Sequence, residues 1–216
     1  MTSARAAANI CSAMVATHPA APVIYSLGHS NHSPQRFLRL IRKHGIDVIV
    51  DVRSQPYSQH SPQFHHAALA QQLEAEGIDY VFAGDTLGGR PGSGEYYDGE
   101  GRVLYYKFAR SEVFALGLSR LKFLAETHER LAVMCSEEDP TNCHRRLLIG
   151  RVLADQGITL RHIRADGRVQ EEGEIAGAYK VSSLVQRGFF DEAEESSWKS
   201  TRSVLPARQR SSSSSH

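Results

Sequence analysis

Cysteine, histidine, arginine and carboxylate side chains gather in a few short stretches of this sequence, each following an apolar run. Cys143-His144-Arg145-Arg146 is the most reactive of these stretches. Cys143 falls where a helix is expected to begin, and free backbone N–H groups and the helix dipole there favour an anion by about 0.3–1 kcal/mol. With Arg145 and Arg146 adding positive charge, a thiol at this position is drawn below its free pKa of roughly 8.5. Cys143 is therefore a candidate thiolate nucleophile, with His144 as its acid or base. Two other readings stay open, a small buried residue pinning the helix to a sheet and a metal ligand. Cys135 stands eight positions earlier and suits a supporting role, as a redox partner or a co-ligand. C-x7-C-H matches none of the usual zinc spacings, so no metal is assigned.

Arg53 and Arg145 are candidate anion binders, because a guanidinium beside a helix start grips phosphate, sulfate or carboxylate in a forked geometry. The alternative is ion pairing of Arg53 with Glu137, or of Arg145 with Asp139. Asp51 precedes Arg53 by two residues, so both side chains share a face of a continuing strand and Asp51 can hold Arg53 in place. Glu137 and His29 are candidate general acids or bases. Ser30, Ser54, Gly88 and Gly89 complete the expected anion site, the glycines by letting backbone approach a ligand. His60, His65 and His66 read as solvated residues. Tyr96, Tyr97, Tyr105 and Tyr106 suit either stacking on a base or packing of a helix.

Residues so far apart along the chain need a scaffold that brings them together. Val23–Leu27, Val48–Val52, Tyr80–Phe82, Leu131–Met134 and Thr159–Ile163 read as strands. The second is almost continuously apolar and β-branched, as in a parallel strand covered on both faces. Between them run helical patterns: one opened by Ser33-Pro34, one over Ala67–Glu76, a long one over Tyr105–Thr127, and one over Cys143–Asp155. The alternation predicts an α/β fold, an open, mostly parallel, doubly wound sheet of about five strands with helices on both faces. Such sheets bind ligands beyond the carboxyl ends of their strands, where all the candidates above fall.

The motifs Ser26-Leu27-Gly28-His29-Ser30, Asp51-Val52-Arg53-Ser54 with Pro56 and Ser58, Leu87-Gly88-Gly89, and Met134-Cys135-Ser136-Glu137 through Cys143-His144-Arg145 occur in that order. Over about residues 23–170 the chain resembles the domain of unknown function 488 family, a group of bacterial and archaeal proteins. The resemblance implies the fold and the motif list and no reaction. Asp166–Glu174 lacks the histidine that often follows the last strand in that family.

Composition bounds what remains. The 216 residues carry 25 Lys and Arg against 24 Asp and Glu, which excludes a strongly basic nucleic-acid binder over the whole surface. Three scattered cysteines argue against a disulfide framework and for a reducing, cytoplasmic setting. No apolar run reaches the roughly 18 residues of a membrane helix. Residues 1–22 read as a disordered leader, 23–185 as one α/β domain, and 186–216 as a disordered charged and Ser-rich tail. The leading expectation is an enzyme, hydrolase or transferase, acting on a phosphate-bearing substrate such as a nucleotide or a nucleic-acid end or lesion. A Cys-based thiol or sulfur-transfer enzyme and a non-catalytic nucleic-acid-binding module are the alternatives. Asp51-Val52-Arg53 is similar to a rhodanese-type strand end, although the compact Cys loop closed by Arg is missing. The expected partner is an anionic small molecule or a nucleic acid, a homodimer is compatible with the sequence, and no cofactor is specified.

Overall fold

A computed structural model describes residues 23–57, 61–175 and 197–205. The leader, residues 176–196 and residues 206–216 lie outside the described residues. Among the described residues the chain forms six strands: β1 (Ile24–Gly28), β2 (Val48–Asp51), β3 (Asp79–Phe82), β4 (Leu131–Cys135), β5 (Leu160–Ile163) and β6 (Val169–Glu171). They lie in one sheet in the order β3-β2-β4-β1-β5-β6. Every pairing is parallel except β5 with β6.

The expected architecture is present, with six strands rather than five. β6 is a three-residue edge strand, Val-Gln-Glu, folded back on β5 through a turn at Gly167, whose φ is +79°. So short and polar a segment carries no period that sequence reading can register. Helices α1 (Pro34–Lys43) and α2 (His66–Glu74) cover one face. Their Phe37, Leu40, Ile41, Leu69 and Leu73 pack on Ile49, Ala132 and Met134. Helix α3 (Tyr105–Phe108) precedes α4 (Glu112–Thr127), which covers the other face together with the helix that follows β4. That last helix begins as a π-helical segment, Arg145–Gly150, and finishes as α5 (Arg151–Ala154). Burying each of these large apolar side chains contributes roughly 1.5–3 kcal/mol.

The single helix expected over Tyr105–Thr127 is broken. Ser111 is the N-cap of α4, its side chain accepting from the Phe114 N–H, and this ends α3 three residues earlier. The expected tail is also corrected in part. Residues 197–205 dock on the domain: Trp198 Nε1 donates to the Leu147 carbonyl at 2.8 Å, and Ser200 N donates to the Val103 carbonyl at 2.9 Å. One tryptophan supplies the apolar area that charge runs on either side concealed. None of the helices in the described residues is long and apolar enough to cross a membrane.

The connections leaving β1 and β2 run toward the β3 edge, whereas those leaving β3 and β4 run toward β5. Right-handed crossovers put these two sets on opposite faces. β4 lies between β2 and β1, so the crevice beyond its carboxyl end is the switch point of the sheet.

Candidate functional site

Cys135 is the last residue of β4 and points to the face that carries α4 and α5, because Leu131, Val133 and Cys135 alternate with Ala132 and Met134. The ladder with β1 continues past the strand end, His29 N donating to the Cys135 carbonyl and Ser30 N to the Ser136 carbonyl. The chain then crosses the end of β1 so closely that a methyl group at Gly28 would lie 1.8 Å from the Glu137 carbonyl oxygen. Arg145 fixes this crossing from beneath. Its guanidinium, 1% exposed, donates to the Glu137 carbonyl at 2.5 Å, to the Glu138 carbonyl at 2.8 Å and to Ser26 Oγ at 3.3 Å.

The result is a compact group of reactive atoms. One ligand-type atom each from Cys135, Glu137, Cys143 and His144 lies within 4.8 Å of all the others. Cys135 Sγ is 3.3 Å from Glu137 Oε2 and 3.7 Å from His144 Nδ1, and Cys143 Sγ is 3.9 Å from the same nitrogen. His144 Nε2 donates to the Val52 carbonyl at 3.1 Å, which turns Nδ1 toward the sulfurs. The two thiols diverge. A hydrogen bond from Cys143 draws the Cys135 thiol well below its usual range, with His144 and Arg145 assisting against burial. Burial pushes Cys143 well above it, reinforced by Cys135. Burial of its carboxyl end and the neighbouring Cys135 push Glu137 up, although the residue as a whole is exposed. Of the two sulfurs, Cys135 faces the adjoining cavity and Cys143 is behind it.

Just past the end of β2, which neighbours β4, Arg53 is held in a fork by Asp51, Nε to Oδ1 at 2.9 Å and NH2 to Oδ2 at 2.6 Å. The fork sets the orientation of the Arg53 guanidinium. Arg53 pairs with Asp51 and not with Glu137. Tyr80 Oη donates to the same carboxylate at 2.7 Å. Arg53 NH1 donates to His29 Nε2 at 3.0 Å, His29 Nδ1 donates to the Ser30 carbonyl at 2.8 Å, and the imidazole stacks on Phe64. Burial, then the Arg53 charge, lower the pKa of His29 to about 4. A neutral imidazole with both nitrogens engaged is a support for Arg53 and a poor proton carrier.

A cavity of about 560 Å³ is lined by residues of both groups. Its third wall is the loop after β3, where the Arg90 N–H donates to Ser54 Oγ at 2.8 Å and the exposed Arg90 side chain reaches the rim. Gly89 permits the approach of this loop to the cluster, since a methyl there would meet the His144 ring at 2.8 Å. Gly88 packs against Gly84 and Ser54. The docked segment closes the fourth side with Ser200, Thr201 and Arg202.

His29, Arg53, Ser54, Gly89, Cys135, Glu137 and His144 are the sequence-derived candidates that line one cavity. Cys143 supports it from behind, whereas Ser30, Gly88 and Arg145 are not among its lining residues. Neither reading of Arg145, as an anion binder or as a partner of Asp139, matches its bonds to the Glu137 and Glu138 carbonyls. Of the other histidines, His66 packs on Tyr80 and Phe82, and His60 lies outside the described residues. Arg90 and Arg202 are lining residues that the sequence reading did not single out. Arg90 directly follows the quoted Leu87-Gly88-Gly89 motif, a usable signal, while Arg202 sits in a tail with none.

A doubly wound, mostly parallel α/β sheet whose switch point carries a Cys, His and carboxylate cluster facing an arginine-lined cavity defines the class. Within that class the chain belongs to the family described as Domain of unknown function DUF488, whose model matches residues 33–152, more than half of the chain. No curated protein and no solved structure matches it.

Proposed function

We propose that this protein is an enzyme, hydrolase or transferase, acting on a phosphate-bearing substrate such as a nucleotide or a nucleic-acid end or lesion. One observation carries the reading: Arg53 and Arg90 line the same cavity as Cys135, Glu137 and His144, at the switch point of the sheet. Among the described residues no carboxylate pairs with Arg90. Its guanidinium, held only by a long 3.4 Å bond from NH1 to Gln55 Oε1, is the exposed gripping group, with Arg53 as a preset charge in the same cavity. In the reaction, an oxygen of water or of an acceptor hydroxyl forms a bond to phosphorus. The bond to the leaving oxygen breaks with its electron pair passing to that oxygen. The proton of the attacking hydroxyl passes to the Glu137 carboxylate and is returned to the leaving oxygen. The two reduced cysteines fit a reducing, cytoplasmic setting.

The test is calorimetric titration of the full chain with inorganic phosphate, adenosine monophosphate and a terminally phosphorylated oligonucleotide. A charge-assisted hydrogen bond contributes about 1.5–3 kcal/mol, so Arg90→Ala weakens binding about tenfold or more. No binding of any of the three, or an unchanged isotherm in the variant, overturns the reading.

A second reading, a thiol or sulfur-transfer enzyme, is favoured by the position of Cys135 at the cavity wall with Cys143 and His144 beside it. It requires Cys135 to be alkylated by iodoacetamide faster than free cysteine at neutral pH. A rate at or below that of free cysteine excludes it.

A further inference from the structure

We propose that Cys135, Cys143, His144 and Glu137 together bind a divalent metal ion, with zinc the best fit. C-x7-C-H is not a usual zinc spacing, because seven residues lie between the cysteines; the fold removes that objection by placing one sulfur on a strand end and the other at the start of the helix that packs beside it. The inference stands independently of the phosphate reading.

Three of the six edges of the group fit a tetrahedron. Zinc binds thiolate sulfur at about 2.3 Å and imidazole nitrogen or carboxylate oxygen at about 2.0–2.2 Å, so the edges of its ligand tetrahedron are about 3.3–3.8 Å. The edges given by Cys135 to Glu137, Cys135 to His144 and Cys143 to His144 are 3.3, 3.7 and 3.9 Å. Those three lie within a few tenths of an ångström of the range, and no distance within the group exceeds 4.8 Å.

His144 carries an independent mark. A metal-binding histidine usually donates its other ring N–H to a carbonyl or carboxylate, which fixes the tautomer and aims the free lone pair. The Nε2–H bond to the Val52 carbonyl does this here and leaves Nδ1 toward both sulfurs. Cys135 Sγ donates to Glu137 Oε2 at 3.3 Å, and an ion would take the place of that proton. The Arg145 guanidinium has its bonds committed to the Glu137 and Glu138 carbonyls. Two thiolates select zinc over magnesium or calcium, which prefer oxygen.

The ligands differ in rigidity. Cys135 and Cys143 are 3% and 1% exposed, whereas Glu137 is on an exposed loop. Glu137 is therefore the ligand able to leave, and the position it vacates opens on the cavity, the arrangement of a catalytic zinc with three fixed ligands. A water or a substrate oxygen fits there.

The experiment uses the full chain purified under reductant, loaded with zinc or cobalt(II) and freed of excess ion. Elemental analysis is expected to give one zinc per chain. The cobalt form is expected to show the intense visible bands of tetrahedral coordination and thiolate-to-metal charge transfer in the near ultraviolet. Cys143→Ser and His144→Gln lower affinity by more than the roughly 10–100-fold that loss of an outer-shell partner costs. Glu137→Gln retains the ion with an altered cobalt spectrum. Circular dichroism on each variant separates loss of a ligand from loss of the fold, and if Cys143→Ser fails to fold, His144→Gln decides. Less than a tenth of an equivalent of zinc, or a cobalt spectrum without thiolate charge transfer, overturns the proposal. Titration of the metal-free chain with inorganic phosphate keeps the two readings apart. Phosphate binding without metal binding removes only the metal, and metal binding without phosphate binding removes only the phosphate reading.

Discussion

Gly28 lies directly beneath Glu137, so close that a single added methyl group would meet the Glu137 carbonyl oxygen at 1.8 Å. The end of β1 is bare so that the loop carrying Glu137 can pass over it and reach the cysteines.

Gly28→Ala is thus expected to displace residues 136–138 and take Glu137 out of the cluster. Overpacking typically costs about 1–3 kcal/mol, read as a fall in the urea midpoint. A variant with unchanged stability and unchanged Cys135 alkylation rate would show that the crossing tolerates a side chain.

Arg145→Ala removes the donors to two loop carbonyls and to Ser26 while leaving a void under the site. Each buried acceptor left unsatisfied costs about 1–3 kcal/mol. Denaturant unfolding is expected to show a loss of several kcal/mol, whereas Arg90→Ala, at an exposed position, changes stability by less than about 0.5 kcal/mol. Equal effects of the two substitutions would contradict the division into a brace and a gripping group.

Asp51→Ala leaves Arg53 buried without its counterion, a change that costs about 3–5 kcal/mol. Tyr80→Phe removes one hydrogen bond to the same carboxylate, worth about 1 kcal/mol. The order of the two in equilibrium unfolding is the check, and a milder Asp51→Ala than Tyr80→Phe would refute the fork as the main support of Arg53.

Acid sensitivity follows from a buried chain of hydrogen bonds. Ser26 Oγ donates to His162 Nδ1 at 2.7 Å, His162 Nε2 donates to Glu172 at 3.3 Å, and Arg146 grips the same carboxylate. Burial lowers the His162 pKa below 6.5 despite Glu172. The unfolded chain therefore takes up that proton first, and stability falls as pH drops from about 6.5 toward the folded value. Burial raises the Glu172 pKa, but hydrogen bonds from His162 and Arg146 outweigh it and hold it below 4.5. Its contribution is present above 4.5 and is lost as pH falls through the folded value. Melting temperature is expected to decline from about pH 6.5 downward, less steeply in His162→Gln. A flat melting profile between pH 7 and 4 would refute this.

Trp198, the single tryptophan, reports on the docked segment. Its ring stands 4.5 Å from the Arg151 guanidinium carbon and contacts Tyr105. Acrylamide should quench its fluorescence less than that of free tryptophan. Quenching equal to free tryptophan would show that residues 197–205 leave the surface in solution.

Much of this was legible before any coordinates. β-branched runs ending in glycine or polar residues, helices opened by Ser-Pro and closed by glycine, and reactive residues after each strand determined the α/β class and the end of the sheet that carries the site. Asp51 two positions from Arg53 suggested that pair, with Glu137 as the other possible partner, but β2 ends at Asp51 and only the fold decided between them. The tertiary structure alone decided which sulfur meets the cavity, since that depends on how the helix after β4 packs and not on spacing along the chain. It also decided that Arg145 holds backbone and that His29 holds Arg53, because a guanidinium or an imidazole takes its role from the partners within 3 Å of it. Three-residue β6 and the docking of Trp198 were decided there too, being small gains in area and hydrogen bonding that exist only once the rest of the sheet is in place.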